Sequence, residues 1–106
     1  MSKYYFIAAS KKFLTEEEPL EEILKERSRN YKENGKEIDF WLLEKPLFLK
    51  CSTLEKLYNK IPKPQAAVIS TDKKFITFLK LRCEFVAFGE IELPNNEIPD
   101  PLAEEK

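Results

Sequence analysis

The apolar residues of this chain fall into four strand-length runs parted by stretches of helical spacing, and that alternation restricts the fold more than any other feature of the sequence. Tyr4 to Ala9 is a short apolar and aromatic run that reads as a strand buried on at least one face. Glu37 to Leu43, EIDFWLL, puts Ile38, Phe40 and Leu42 on one face and Asp39, Trp41 and Leu43 on the other. Both faces are largely apolar, which reads as a central strand. Ala66 to Ser70 supplies a third strand and Phe85 to Leu93 a fourth, with Gly89 marking a bulge or a close backbone approach.

Helical signals fill the gaps. Thr15 and Glu18 form a capping-box pattern, after which Leu20, Ile23, Leu24 and Tyr31 recur at helical spacing until Asn34-Gly35 offers a left-handed stop. Ser52 and Glu55 form a second capping box, opening a short helix through Leu54, Leu57 and Tyr58 that Pro62 and Pro64 close. Ser70, Thr71 or Asp72 caps a third helix carrying Phe75, Ile76, Phe78, Leu79 and Arg82. The order is β-α-β-α-β-α-β: one α+β domain over residues 1–93, a four-stranded sheet with about three helices packed on it, whose strand order this pattern does not fix. Residues 94–106 carry three prolines and an acidic bias, and are expected to form a flexible tail dispensable for folding.

Composition excludes several function classes. Eight Phe, four Tyr and one Trp in 106 residues are too rich a supply for a disordered chain. The 18 Lys and Arg nearly balance the 19 Asp and Glu, leaving no net positive field for a phosphate backbone, so nucleic acid is not an expected partner. Cys51 and Cys83 form no CxxC and read as two buried thiols, with a disulfide as the minor alternative. No run approaches the ~20 apolar residues of a membrane span, and MSKYYFIAAS lacks the features of a signal or transit peptide. Membrane contact is therefore expected to be peripheral, through a partner.

The sequence has no histidine, which removes the commonest general base and the commonest metal ligand together. Two cysteines alone make no standard zinc site, and Gly35 and Gly89 make no glycine-rich phosphate loop. No catalytic residue, metal site or cofactor is expected. Most carboxylates lie in solvated acidic runs. Asp39 and Arg82 differ, because periodicity points each charge toward apolar surface, where charges are rarely left unpaired. They read either as an internal ion pair or as an exposed binding site, and beside Phe40 and Trp41 they have the composition of a binding hot spot. Arg27 falls on the Leu20, Leu24, Tyr31 stripe, so its guanidinium must snorkel to water or meet a carboxylate. With Arg29 it belongs to a basic cluster suited to the helix C-terminus, and both are additional candidate contacts.

The segments YYFIAASKKFLTEEEP, ERSRNYKENGKEIDFWLL, QAAVISTD and FLKLRCEFVAFGE resemble a specific family. It is the small accessory protein of the magnesium-protoporphyrin IX monomethyl ester oxidative cyclase, a hypothetical chloroplast reading frame of cyanobacteria, plastid genomes and plants. The resemblance spans about residues 3–93. It implies an antiparallel sheet flanked by helices, and a non-catalytic protein that binds the di-iron cyclase subunit and supports its accumulation or activity in chlorophyll synthesis. It also implies that Asp39 and Phe40 within DFW, and Arg82 within LKLRCE, are contact residues. The expected location is the cyanobacterial cytoplasm or the plastid stroma, at the periphery of the thylakoid. The competing class is a small-molecule regulatory domain with a tetrapyrrole ligand, which a Soret-band titration with a magnesium porphyrin would separate from protein binding.

Overall fold

In a computed structural model the chain forms one four-stranded sheet, and the structure describes residues 2–18, 20–83 and 86–105. Strands β1 (Ser2–Ser10), β2 (Phe40–Glu44), β3 (Gln65–Ser70) and β4 (Ala87–Leu93) lie in the order β2-β3-β1-β4. All three pairings are antiparallel. The helices are α1 (Leu20–Glu33), α2 (Glu55–Lys60) and α3 (Lys73–Cys83). A π-helical turn at Phe13–Glu17 precedes α1, and 3-10 turns at Leu47–Lys50 and Ser52–Leu54 precede α2. The α+β sheet with flanking helices is as the sequence predicts. Phe85, expected to begin the fourth strand, lies outside the described residues.

The sheet is the middle of three layers. On one face Ile7, Ala9, Phe40, Ala66 and Val68 pack against Leu20, Leu24 and Tyr31 of α1 and Phe75, Ile76 and Leu79 of α3. On the other Phe6, Ala8, Leu43, Ala67 and Ile69 pack against Phe48, Leu49, Cys51, Ile61 and Ile98. Covering both faces explains why β3 is buried at every position. It also corrects the reading of EIDFWLL: β2 is an edge strand, and its two apolar faces reflect the layers above and below rather than a strand on each side. Cys51 and Cys83 are buried free thiols on opposite sides of the sheet.

Local details correct three expectations. Thr15 caps nothing; it sits within the π-helical turn, and its hydroxyl donates to Lys11 O at 2.7 Å. Ser52 gives α2 no side-chain cap, because its hydroxyl donates instead to Glu97 Oε1 at 2.6 Å. The third concerns residues 94–106, read as a flexible, dispensable tail: Ile98 is buried in the lower core and Leu102 packs against it. Two apolar side chains among the prolines and acids are enough to dock the segment. The glycine readings hold. Gly35 has φ 67, and Lys36 N–H bonds Tyr31 O at 2.9 Å across it in a Schellman closure of α1. Gly89 sits opposite Phe6, and a Cβ there would lie 2.8 Å from the ring's Cζ, so the glycine marks a close approach.

Candidate functional site

Arg27 lies on the buried stripe of α1, and its guanidinium is held between rings. Its carbon Cζ stands 3.9 Å from the Phe75 centroid, 4.9 Å from Tyr31 and 5.4 Å from Phe40. These rings also meet edge-on, Tyr31 with Phe40 at 5.3 Å and Phe40 with Phe75 at 5.4 Å. Of the two outcomes open to it, water or a carboxylate, the cation takes the second: Nη2 donates to Asp72 Oδ2 at 2.9 Å and to Tyr31 Oη at 2.8 Å. Tyr31 in turn donates to Asp39 Oδ1 at 3.0 Å. Asp72 serves twice, since its Oδ1 accepts the N–H of Lys74 at 3.0 Å and so caps α3.

The run Asp72–Arg27–Tyr31–Asp39 thus ties α1 to the start of α3 and to the residue before β2. Burial, and next the hydrogen bond to Asp39, push the Tyr31 phenol above its usual range, while Arg27 pulls against them. The phenol remains a donor, which fixes the direction of the run. Arg27 Nε is buried without a partner among the described residues, so the side chain is held by its fork and by the rings.

Asp39 and Phe40 therefore belong to one cluster, whereas Arg82 does not. Arg82 lies ten positions beyond Asp72, about 15 Å along the α3 axis, and is exposed. It makes no ion pair with Asp39; the internal pair at this face is Arg27 with Asp72. Trp41 is half-buried and packs on the opposite face of the sheet, against the lower layer, so Phe40 and Trp41 do not form one patch. Arg29 is exposed and pairs with Glu26 one turn back on its own helix, a helix-stabilising contact.

Arg82 instead shares the outer face of α3 with Phe78, 52% exposed, and Leu81, 75% exposed. Residues three and four apart are helix-surface neighbours, so these three make a continuous apolar stripe with a cation at its end. A groove of about 390 Å³ opens beside it, walled by Ile23, Arg27, Asp72, Lys74, Phe75 and Phe78. Sequence reasoning missed Phe78 and Leu81 as surface residues and Tyr31, Phe75 and Asp72 as members of the cluster. The spacing of Phe75, Ile76, Leu79 and Cys83 carries a signal for the first omission, because it defines a core stripe that leaves 78 and 81 off it. Among the described residues there is no group of three His, Cys, Asp or Glu side chains that could hold a metal ion, and no helix long and apolar enough to cross a membrane.

Comparison with known proteins gives a consistent set of relatives. The family model for the Ycf54 protein matches residues 2–93. A Ycf54-like protein of Synechocystis is 52% identical over 103 residues, which are 97% of this chain and 77% of that one. The chloroplastic protein YCF54 of Arabidopsis thaliana is 39% identical over 92 residues, covering 86% of this chain and 43% of the plant protein. The solved structure of the Synechocystis Ycf54 A9G mutant superposes with a TM-score of 0.97 at 50% identity, each chain covered completely. The All0216 protein of Nostoc superposes with a TM-score of 0.94 at 51% identity, over 97% of this chain and 95% of that one.

Proposed function

This chain belongs to the Ycf54 family, and from that premise we propose that it is a non-catalytic accessory protein that binds and stabilises another protein. The observation that carries the reading is the outer face of α3. Leu81 and Phe78 hold large apolar area in water outside both cores, and Arg82 borders them. Isolated surface apolars are ordinary, but a stripe of two with an arginine has the make-up of an interface anchor. Behind it the Arg27 cluster locks α1 and α3 together, so the surface is offered rigidly and little ordering is lost on binding.

The partner we propose is the di-iron subunit of the magnesium-protoporphyrin IX monomethyl ester cyclase, following the resemblance of the DFW and LKLRCE segments. In this reading the iron chemistry of chlorophyll synthesis is the partner's, and the chain, without histidine, contributes surface. It would work in the cyanobacterial cytoplasm or the plastid stroma, reaching the thylakoid through that partner. Relatives in cyanobacteria and in a chloroplast suit that setting.

A pull-down from photosynthetic membranes with tagged chain tests it. The di-iron subunit should be retained by the unsubstituted chain and lost by Arg82→Ala and by Leu81→Asp, with both variants melting at the parental temperature. Retention by both folded variants would overturn the α3 site, and absence of the subunit from every eluate would overturn the partner.

A further inference from the structure

Residues 103–105 lie extended along the chain that follows β2. Leu47 N–H donates to Ala103 O at 3.0 Å, Glu105 N–H donates to Lys45 O at 2.8 Å, and Pro46 and Glu104 form an antiparallel bridge. Lys45 makes this possible. Its φ of 49 lies in the left-handed region, and while its N–H still bonds Gln65 O at 2.8 Å, its carbonyl turns to the tail. The two glutamates then point apart, as successive residues of an extended chain must. Glu104 Oε2 accepts the N–H of Glu44, the last residue of edge strand β2, at 2.7 Å. Glu105 Oε1 accepts from Lys50 Nζ at 2.8 Å, inside a pocket of about 390 Å³ walled by Lys45, Lys50, Tyr58, Lys63, Gln65 and Glu105 itself.

Three lysines line that pocket around one carboxylate, Lys50 bonding Glu105 and the Lys63 ammonium standing 4.5 Å from the Tyr58 ring centroid. Lys50 chiefly, with Lys45 and Lys63 in support, holds the Glu105 carboxyl below its usual range. We infer that this groove is a receptor for an extended acidic segment of another protein, with the chain's own tail as its resident competitor. The groove reads a ligand's backbone at two positions and a carboxylate at each of two successive residues, which is how a sheet edge takes up an added strand. Among the described residues three lysines line it against the single carboxylate of Glu105, so a segment carrying a further carboxylate there is the better match. The tail is also easily lifted. Lys50 and Glu105 are 41% and 47% exposed, where an ion pair holds weakly, and the apolar anchors, Ile98 and Leu102, lie upstream of the groove and can stay docked while residues 103–105 lift.

The test is fluorescence anisotropy with a labelled peptide, Pro-Leu-Ala-Glu-Glu-Glu, on the full chain. A tethered competitor acts at high effective concentration, so the E104Q/E105Q double variant should bind the peptide about tenfold more tightly than the unsubstituted chain. Adding Lys50→Ala and Lys63→Ala to that variant should abolish binding. Equal affinity of the parental chain and the double variant, binding that survives loss of both lysines, or no saturable binding by the double variant would each overturn the inference. On the unsubstituted chain, saturating peptide should shift the amide resonances of Glu44, Leu47 and Glu105, and shifts elsewhere that leave these three unmoved would overturn it as well.

Discussion

Arg27 Nη2 meets Asp72 Oδ2 at 2.9 Å across 45 positions of sequence, so the middle of one helix is tied to the residue that caps another. The pair is only partly solvated, with side chains 25% and 32% exposed. Arg27→Ala should therefore cost about 2–3 kcal/mol, below the ~3–5 kcal/mol of a fully buried pair but well above a surface one. Lysine should recover less than half, because it loses the flat contact with Phe75 and the forked bond to Tyr31 and Asp72. Asp72→Asn keeps the cap, and a double-mutant cycle with Arg27→Ala by urea unfolding should give a coupling of about 1 kcal/mol. No coupling would mean that the rings and the Tyr31 hydroxyl hold the arginine without Asp72.

Gly89→Ala places a methyl 2.8 Å from Phe6 Cζ. That ring is fully buried and fixed edge-on against Phe48 at 5.0 Å, so it has little room to yield. The expected cost is about 1–3 kcal/mol. Phe6→Leu in the same chain should return part of it, making the double variant more stable than the sum of the two singles. Strict additivity in thermal unfolding would show that the methyl acts elsewhere.

Truncation after Leu93 should now be harmful. It removes Ile98 from the lower core, worth about 1.5–3 kcal/mol, which corresponds to a fall in melting temperature of roughly 6–24 °C for a domain of this size. Ile98→Ala in the full chain should account for most of that fall. A truncated protein with the parental melting temperature would restore the mobile tail.

Acid should weaken the same segment. The Ser52 hydroxyl, with the Ser52 N–H behind it, lowers the Glu97 carboxyl from its ordinary 4.5, and Lys50 lowers Glu105. A carboxyl lowered in the folded state stabilises fully above its unfolded pKa and loses that contribution as pH falls through the folded one. Urea midpoints should hold steady down to about pH 5 and drop below about pH 4.5, less steeply in Glu97→Gln and Glu105→Gln. Glu90, lowered by its bond to Lys3, adds a tail-independent share that Glu90→Gln isolates. Parallel curves for parent and tail variants would contradict this account.

The elements were legible because strand and helix periods are local. The four strands and the left-handed Gly35 follow from a few neighbouring residues, while Gly89 could be read only as a bulge or a close approach until Phe6 was placed opposite it. What could not be read is what depends on distant partners. Ser52 looks like a cap until Glu97 takes its hydroxyl, and EIDFWLL looks central until a second layer is seen beneath it. The same holds for the site. That Arg27 must snorkel to water or meet a carboxylate was visible from its stripe, but the outcome, and the choice of Asp72, rest on where α3 starts in space. Asp39 and Arg82 drew notice as misplaced charges for different reasons: one answers a tyrosine, and the other faces solvent from the outer side of a helix.

Strand β1 is the earliest of the sheet in sequence and lies inside it, flanked by β3 and by β4, the last. On a ribosome it would emerge with neither flank available, and 76 residues separate its end at Ser10 from Ala87. At ordinary elongation rates that interval is roughly 4–15 s, during which β3 is made first, so Phe6 to Ala9 gain one flank before the other. The sheet is therefore incomplete until its last strand: chains ending before β4 should keep one edge of β1 open and protease-sensitive, and folding should finish late, dominated by contacts distant in sequence.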